Sequence, residues 1–270
     1  MKNLFDVKNK VIVITGGTGV LGAAMVRHFG EQGAKVVILA RRAEAGKALE
    51  AEVKAAGGEA LFLQSDVLKQ ELLEENYREI MSRYGRIDVL VNCAGGNMPG
   101  ATIPPDKTIF DLEIDAFRQV VDLNLFGTVL PTMVFCRAMT EQKEGCIINV
   151  CSESALRPLT RVAGYGTAKA AVANFTQYMA GELAIKYGSG LRVNAIAPGF
   201  FITEQNRTLL TNPDGTYTDR AKTILAHTPF RRFGEPEELL GTLQWLASDA
   251  SRFVTGTMTV IDGGFDAFSI

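Results

Sequence analysis

Tyr165 and Lys169 stand four residues apart in Gly164-Tyr165-Gly166-Thr167-Ala168-Lys169, at the head of an apolar stretch that continues through Tyr178. On a helix that spacing puts phenol and ammonium on one face. A phenol with its ordinary pKa near 10 shuttles protons poorly at neutral pH, and a neighbouring ammonium favours the phenolate. Ser152 lies thirteen residues before Tyr165, at the end of an apolar run, where its hydroxyl is suited to bind a substrate oxygen as charge develops. Tyr-x-x-x-Lys also arises by chance, so its meaning depends on the elements that hold it.

Those elements read as strand and helix in alternation. Candidate strands are 11–15, 35–40, 60–64, 87–91, 146–151, 191–195 and 258–261, apolar throughout instead of alternating. Parallel strands covered on both faces have that composition. Between them lie helical patterns such as 70–84, where Leu73, Tyr77, Ile80, Met81 and Tyr84 recur on one face. Sustained strand–helix alternation predicts an α/β fold, a doubly wound, Rossmann-like parallel sheet of about seven strands with helices on both faces. No linker or repeat interrupts it, so residues 1–270 are expected to form one domain. The stretch 200–228, with the turn cluster Asn212-Pro213-Asp214-Gly215, breaks the rhythm and is expected to be a substrate lid.

Directly after the first strand comes Thr15-Gly16-Gly17-Thr18-Gly19-Val20-Leu21-Gly22. Glycines here allow a tight turn and close approach to a pyrophosphate, while the following helix offers its N-terminal amides to that charge. A glycine-rich turn between a strand and a helix is the context that dinucleotide binding requires. Gly16, Thr18, Gly19, Leu21 and Gly22 are therefore candidate cofactor contacts. The second strand ends at Ala40-Arg41-Arg42, without the acidic residue that bonds the ribose in NAD-preferring sites. Arg41 and Arg42 suit a 2′-phosphate, which favours NADP(H) with NAD(H) as the alternative, or they simply open a solvated helix.

The 270 residues are 47% hydrophobic, ample for a core, and the formal net charge is −2. With Lys and Arg dispersed, nothing suggests a nucleic-acid partner. The apolar run at 11–14 is too short for a signal peptide or membrane span, and a cytoplasmic location is expected. Cys93, Cys136, Cys146 and Cys151 lack metal-ligand spacing and only two histidines are present, so no metal site is expected.

Together these motifs resemble the short-chain dehydrogenase/reductase family, in its single-domain branch, along essentially the whole chain. Asp66-Val67 resembles the family's adenine contact, and Asn92-Cys93-Ala94-Gly95 its Asn-Ala-Gly motif. Asn124 resembles the asparagine that holds a proton-relay water, and Pro198-Gly199 with Thr203 the segment receiving the nicotinamide carboxamide. The resemblance implies a catalytic set of Asn124, Ser152, Tyr165 and Lys169, with Lys169 also holding the nicotinamide ribose. It implies a carbonyl–alcohol oxidoreductase that works as a homo-oligomer, dimer or tetramer, on a small molecule. One departure is the turn's Thr-Gly-x-x-Gly-x-x-Gly spacing, which is usual in the family's extended branch.

Residues 95–100 and the tail 262–269 resemble the sugar-acid members, the D-mannonate (fructuronate) oxidoreductases and gluconate 5-dehydrogenases. A sugar-acid carboxylate calls for a cation, for which Arg157 and Arg161 are candidates, while Asn97 and Glu153 are placed to bond hydroxyls. The competing substrate is a 3-oxoacyl group on an acidic carrier protein, for which Arg207, Arg220, Lys222, Arg231 and Arg232 would form a basic patch. A third reading is an NADP-binding sensor without turnover, although such a protein has no need of both Tyr165 and Lys169.

Overall fold

The computed structural model describes residues 3–203 and 206–267. Positions 204 and 205 of the expected lid, and Phe268 and Ser269 of the tail, lie outside the described residues.

Seven strands form one sheet: β1 (Val11–Thr15), β2 (Lys35–Ala40), β3 (Glu59–Gln64), β4 (Val89–Asn92), β5 (Gly145–Val150), β6 (Leu191–Pro198) and β7 (Met258–Ile261). Their order is β3-β2-β1-β4-β5-β6-β7, with every neighbouring pair parallel. The helices are α1 (Val20–Glu31), α2 (Ala43–Ala55), α3 (Gln70–Tyr84), α4 (Ile114–Val121), α5 (Gly127–Gln142), α6 (Ala163–Tyr187), α7 (Arg207–Leu210), α8 (Asp219–His227) and α9 (Leu240–Ala247).

The apolar strands serve two cores at once, because successive side chains point to opposite faces. Ile12 and Ile14 pack with Met25 and Phe29 of α1, Leu49 of α2 and Leu243 of α9. Val11 and Val13 pack on the other face with Ile80 of α3, Phe135 and Met139 of α5, and Leu183 of α6. That division is the doubly wound arrangement expected from the sequence.

Strand limits shift for local reasons. β4 begins at Val89, after Asp88 has turned its carboxylate to accept a hydrogen bond from the Val11 amide (2.8 Å) and to pair with Arg86. β6 continues past Ala195 to Pro198, carrying the chain toward the end of the sheet where the strand order reverses between β1 and β4. In open α/β sheets ligands bind outside the carboxyl ends of strands at such a reversal.

Between α4 and α5 one π-helical turn, Asp122–Phe126, interrupts the α-helix. The run Ile114–Gln142 is long and apolar enough to cross a membrane by composition alone, but Val134, Phe135, Ala138 and Met139 are buried against the sheet. The segment joining β6 to α9 has a small core of its own, Leu210, Ala221, Ile224 and Phe233. Its tip is the expected turn, with Gly215 at φ +83° and the Asp214 carboxylate accepting from the Thr216 amide at 2.9 Å. All four cysteines are free; Cys136, Cys146 and Cys151 are buried, whereas Cys93 is partly exposed.

Candidate active site

At the strand-order reversal the backbone is packed so closely that side chains would not fit. Gly16 has φ +65°, and a Cβ there would lie 2.8 Å from the Ala94 Cα. A Cβ at Gly22 would lie 2.4 Å from the Gly16 carbonyl oxygen. Thr15 Oγ1 accepts hydrogen bonds from the Cys93 and Ala94 amides, both at 3.1 Å, fastening the end of β1 to the end of β4. Gly19 caps α1 without a side-chain bond, so the helix presents bare amides. A tight turn leading into open helical amides fits a pyrophosphate.

A cleft of about 870 Å³ opens over this turn. Its walls include Gly16, Thr18, Gly19, Leu21 and Gly22, then Arg41 and Arg42, Asp66 and Val67, Ala94 and Gly95, and finally Pro198, Gly199 and Thr203. Arg42 donates to the Thr18 carbonyl at 3.0 Å, bringing its guanidinium over the glycine turn, and Arg41 is exposed beside it.

The chemistry-bearing side chains converge on the same cleft. Tyr165 stands in the first turn of α6, packed beside Ala101, Ala116 and Val120. Lys169, one turn on, is buried, with Nζ 5.6 Å from the centre of the Tyr165 ring. Its ammonium donates to the Val150 carbonyl at 2.8 Å, which fixes the charge at the end of β5. Ser152 Oγ accepts from the Ser154 amide at 3.2 Å and, among the described residues, donates to no partner. Its proton therefore remains available to an oxygen in the cleft. A Cβ at Gly95 would lie 2.7 Å from Asn124 Oδ1 and 3.3 Å from Lys169 Nζ, so glycine here is what lets the loop after β4 pass between them.

Four expected site residues stand elsewhere. The Asn92 amide is absorbed in a buried chain, donating to Thr132 Oγ1 and Asn149 Oδ1 at 2.9 Å each, and it does not wall the cleft. Asn124 also stands behind the wall. From the π-helical turn its Nδ2 donates to the Gly96 and Val120 carbonyls and its Oδ1 accepts from the Gly96 amide, so it pins the loop. That makes Asn124 a positioning residue for Gly95 and Gly96. Arg157 is paired with Asp266, 2.5 Å away, and Arg161 sits at φ +76° without lining the cleft. Neither lines the cleft as the expected substrate cation would.

Two cleft residues named in the sequence take surroundings there that no local pattern shows. Arg220 of α8 turns inward to line the cleft, half-buried, and among the described residues donates only to Thr160 Oγ1 and the Thr160 carbonyl. It has no carboxylate partner among the described residues, and burial together with the nearby Arg161 charge lowers its pKa. Glu153 lines the cleft next to Ser152 and is 1% exposed, with neither carboxyl oxygen in a hydrogen bond of normal geometry. Burial, then the charges of Asp266 and Asp262, push its pKa up to about 7, while Arg157 opposes the shift. Asn97 also lines the cleft, its Nδ2 donating to Thr102 Oγ1 at 3.1 Å.

Residues 10–214 match the model of the family described as short chain dehydrogenase. The chain belongs to this family. It is 45% identical to the uncharacterized oxidoreductase UxuB of Bacillus subtilis (strain 168), over 98% of this chain and 97% of that one. Among solved structures, a candidate D-mannonate oxidoreductase from Haemophilus influenza with bound NAD is 39% identical, with TM-score 0.91 and 99% of each chain covered. A gluconate 5-dehydrogenase from Burkholderia cenocepacia J2315, in complex with NADP and tartrate, is 30% identical with TM-score 0.87, covering 98% of each chain.

In a short-chain dehydrogenase of this geometry the side chains have separable tasks. A bound nicotinamide dinucleotide supplies or accepts the hydride, making this an oxidoreductase of CH–OH groups. Ser152 is placed to donate a hydrogen bond to the reacting oxygen, which would stabilise negative charge as it forms. Tyr165 is placed to give that oxygen its proton in reduction and to take it back in oxidation. The Lys169 ammonium stands on the same helical face, 5.6 Å from the centre of the Tyr165 ring.

Proposed function

We propose that this short-chain dehydrogenase interconverts the ketone and secondary alcohol of a sugar acid, of the fructuronate/mannonate or 5-ketogluconate/gluconate kind. The observation that carries this reading is Arg220. A guanidinium half-buried in the cleft, next to a second cation and without a carboxylate among the described residues, gains most from an anionic ligand. A substrate carboxylate meets that need, and the sugar-acid names of two structural relatives agree with it. The lid role of the segment after β6 belongs to the same proposal, since α8 delivers Arg220.

Of the five cations that would form a basic surface for an acidic carrier protein, two are paired with carboxylates. Lys222 pairs with Asp219 at 3.1 Å and Arg232 with Glu238 at 2.6 Å, while Arg231 bonds the Leu225 and Ala226 carbonyls. Arg220 itself is turned into the cleft. For the cofactor we favour NADP(H), on the strength of Ala40 followed by Arg41 and Arg42 at the ribose end. Exposed Met133, Tyr178 and Ile185 on α5 and α6 support a homo-oligomer.

Steady-state rates with fructuronate, 5-ketogluconate and a β-ketoacyl thioester test the substrate reading. Turnover of a keto acid, with KM raised about thirtyfold in Arg220→Met, is the expected result. Activity confined to the thioester would end it.

A further inference from the structure

Hydrocarbon lines the cleft between Tyr165 and Arg220. Val162 caps the start of α6, three positions ahead of Tyr165, and Leu159 stands three positions before that. Both are partly exposed and line the cleft. Thr160, between them, holds the Arg220 guanidinium through its hydroxyl at 3.0 Å and its carbonyl at 3.2 Å. The stretch 159–165 therefore carries Tyr165 at one end and the cleft's cation at the other, with two apolar residues along it.

Two further segments extend this wall. The loop after β4 is fastened to the same stretch, the Ile103 amide donating to the Arg161 carbonyl at 3.0 Å, and it brings Met98 and Pro104 to the cleft. Met98 packs in one cluster with Tyr165. From α7 comes Leu209, 45% exposed. Polar neighbours on these segments are engaged within the protein. The Thr102 hydroxyl donates to the Met98 carbonyl and accepts from Asn97 Nδ2, both at 3.1 Å. Asn206 bonds the Phe201 carbonyl and the Thr203 amide, both at 2.7 Å. A hydroxyl laid against such a wall loses water and gains little, whereas a methylene in an apolar pocket is worth about tenfold or more in specificity.

We infer that the enzyme also reduces oxo acids whose chain between ketone and carboxylate is hydrocarbon, a substrate class apart from the hydroxylated sugar acids. The inference rests on the role proposed for Arg220, which takes the carboxylate, while the apolar wall takes the chain between. The bond changes are those of the family's reaction. The ketone carbon gains a hydride from the reduced dinucleotide, the C=O π pair moves onto oxygen, and that oxygen takes the Tyr165 proton. The ketone is thereby reduced to a secondary alcohol as the dinucleotide is oxidised.

5-Ketogluconate, 5-oxohexanoate and 2-hexanone share a six-carbon skeleton with the ketone next to one end, so they separate the hydroxyls from the carboxylate. Their kcat/KM values for reduction are measured with saturating NADPH, and again with NADH, in the wild type, Leu159→Asn and Leu209→Asn. The wild type is expected to reduce 5-oxohexanoate within about tenfold of 5-ketogluconate or better, and at least about tenfold better than 2-hexanone. Each substitution should cost 5-oxohexanoate about tenfold and 5-ketogluconate less than about threefold. The two leucines stand on separate segments, so a folding defect in one variant leaves the other to decide. An enzyme on which 5-oxohexanoate is inert, or more than about tenfold poorer than 5-ketogluconate, overturns the inference. Activity on 5-ketogluconate in that same assay would leave the sugar-acid reading standing. Equal losses on every substrate in both variants also overturn it, the result expected if Leu159 and Leu209 only pack. Equal reduction of 5-oxohexanoate and 2-hexanone, both slowed by Leu159→Asn, would instead overturn the role of Arg220 and keep the apolar wall.

Discussion

The two ends of the cleft are built on different principles. At the cofactor end the constraint is backbone against backbone: Gly16 against Ala94, Gly22 against Gly16, the Thr15 hydroxyl against two amides. At the substrate end the wall is made by residues from distant parts of the chain, with Glu153 from the turn after β5 and Arg220 from α8. The first kind of site tolerates almost no change and recurs wherever a dinucleotide binds. The second can be re-specified by exchanging a few charges, as expected of a family that applies one reaction to many alcohols.

The largest effect on binding should therefore fall on the cofactor end. Gly22→Ala would drive a methyl against the Gly16 carbonyl and is expected to weaken dinucleotide binding more than a hundredfold. Gly19→Ala, whose Cβ would sit 3.3 Å from the same oxygen, should cost only a few-fold. Fluorescence titration with NADPH reads both, and equal losses would show that turn spacing matters less than argued.

Next comes Arg220→Met at the substrate end. A roughly thirtyfold rise in KM for a keto acid is expected, with little change for 2-hexanone. Equal damage to both substrates would mean that Arg220 only braces Thr160.

A smaller effect is expected from Arg41→Ala combined with Arg42→Ala. Affinity for NADPH should fall about tenfold while NADH binding stays within a few-fold, read by paired titrations. Parallel losses would place the arginines on the pyrophosphate and not on a 2′-phosphate.

The smallest effect concerns stability. Folding holds the Glu153 carboxyl at about 7 against an ordinary 4.5, so between those values the folded chain keeps a proton that the unfolded chain releases. That contribution is complete below about pH 4.5 and is lost as pH rises through 7. Glu153→Gln removes this titration, so the wild type should lose about 2–4 °C of Tm relative to the variant between pH 5 and 7.5. A constant difference across that range would show that Glu153 is ionised throughout.

The same contrast explains what could be read from the sequence. The seven apolar runs and the glycine turn announce themselves because backbone geometry and two-sided burial restrict residue type locally. Tyr165 and Lys169 are legible because one helical turn joins them. Asn92 and Asn124 were placed in the right neighbourhood, but their amides are consumed by Thr132, Asn149, Gly96 and Val120, partners no local pattern reveals. Arg157 looked like the substrate cation until the fold set Asp266, 109 positions later, against it. Arg220 was visible only as one of several scattered cations, and only the packing of α8 over the cleft separates it from Lys222 and Arg232.

The proton-transfer assignment is tested most directly by Tyr165→Phe, assayed for both turnover and NADPH affinity. Removing one hydroxyl should lower kcat by at least about a thousandfold while the dissociation constant for NADPH stays within a few-fold. An enzyme that kept a substantial fraction of its rate would contradict Tyr165 as the proton donor and acceptor.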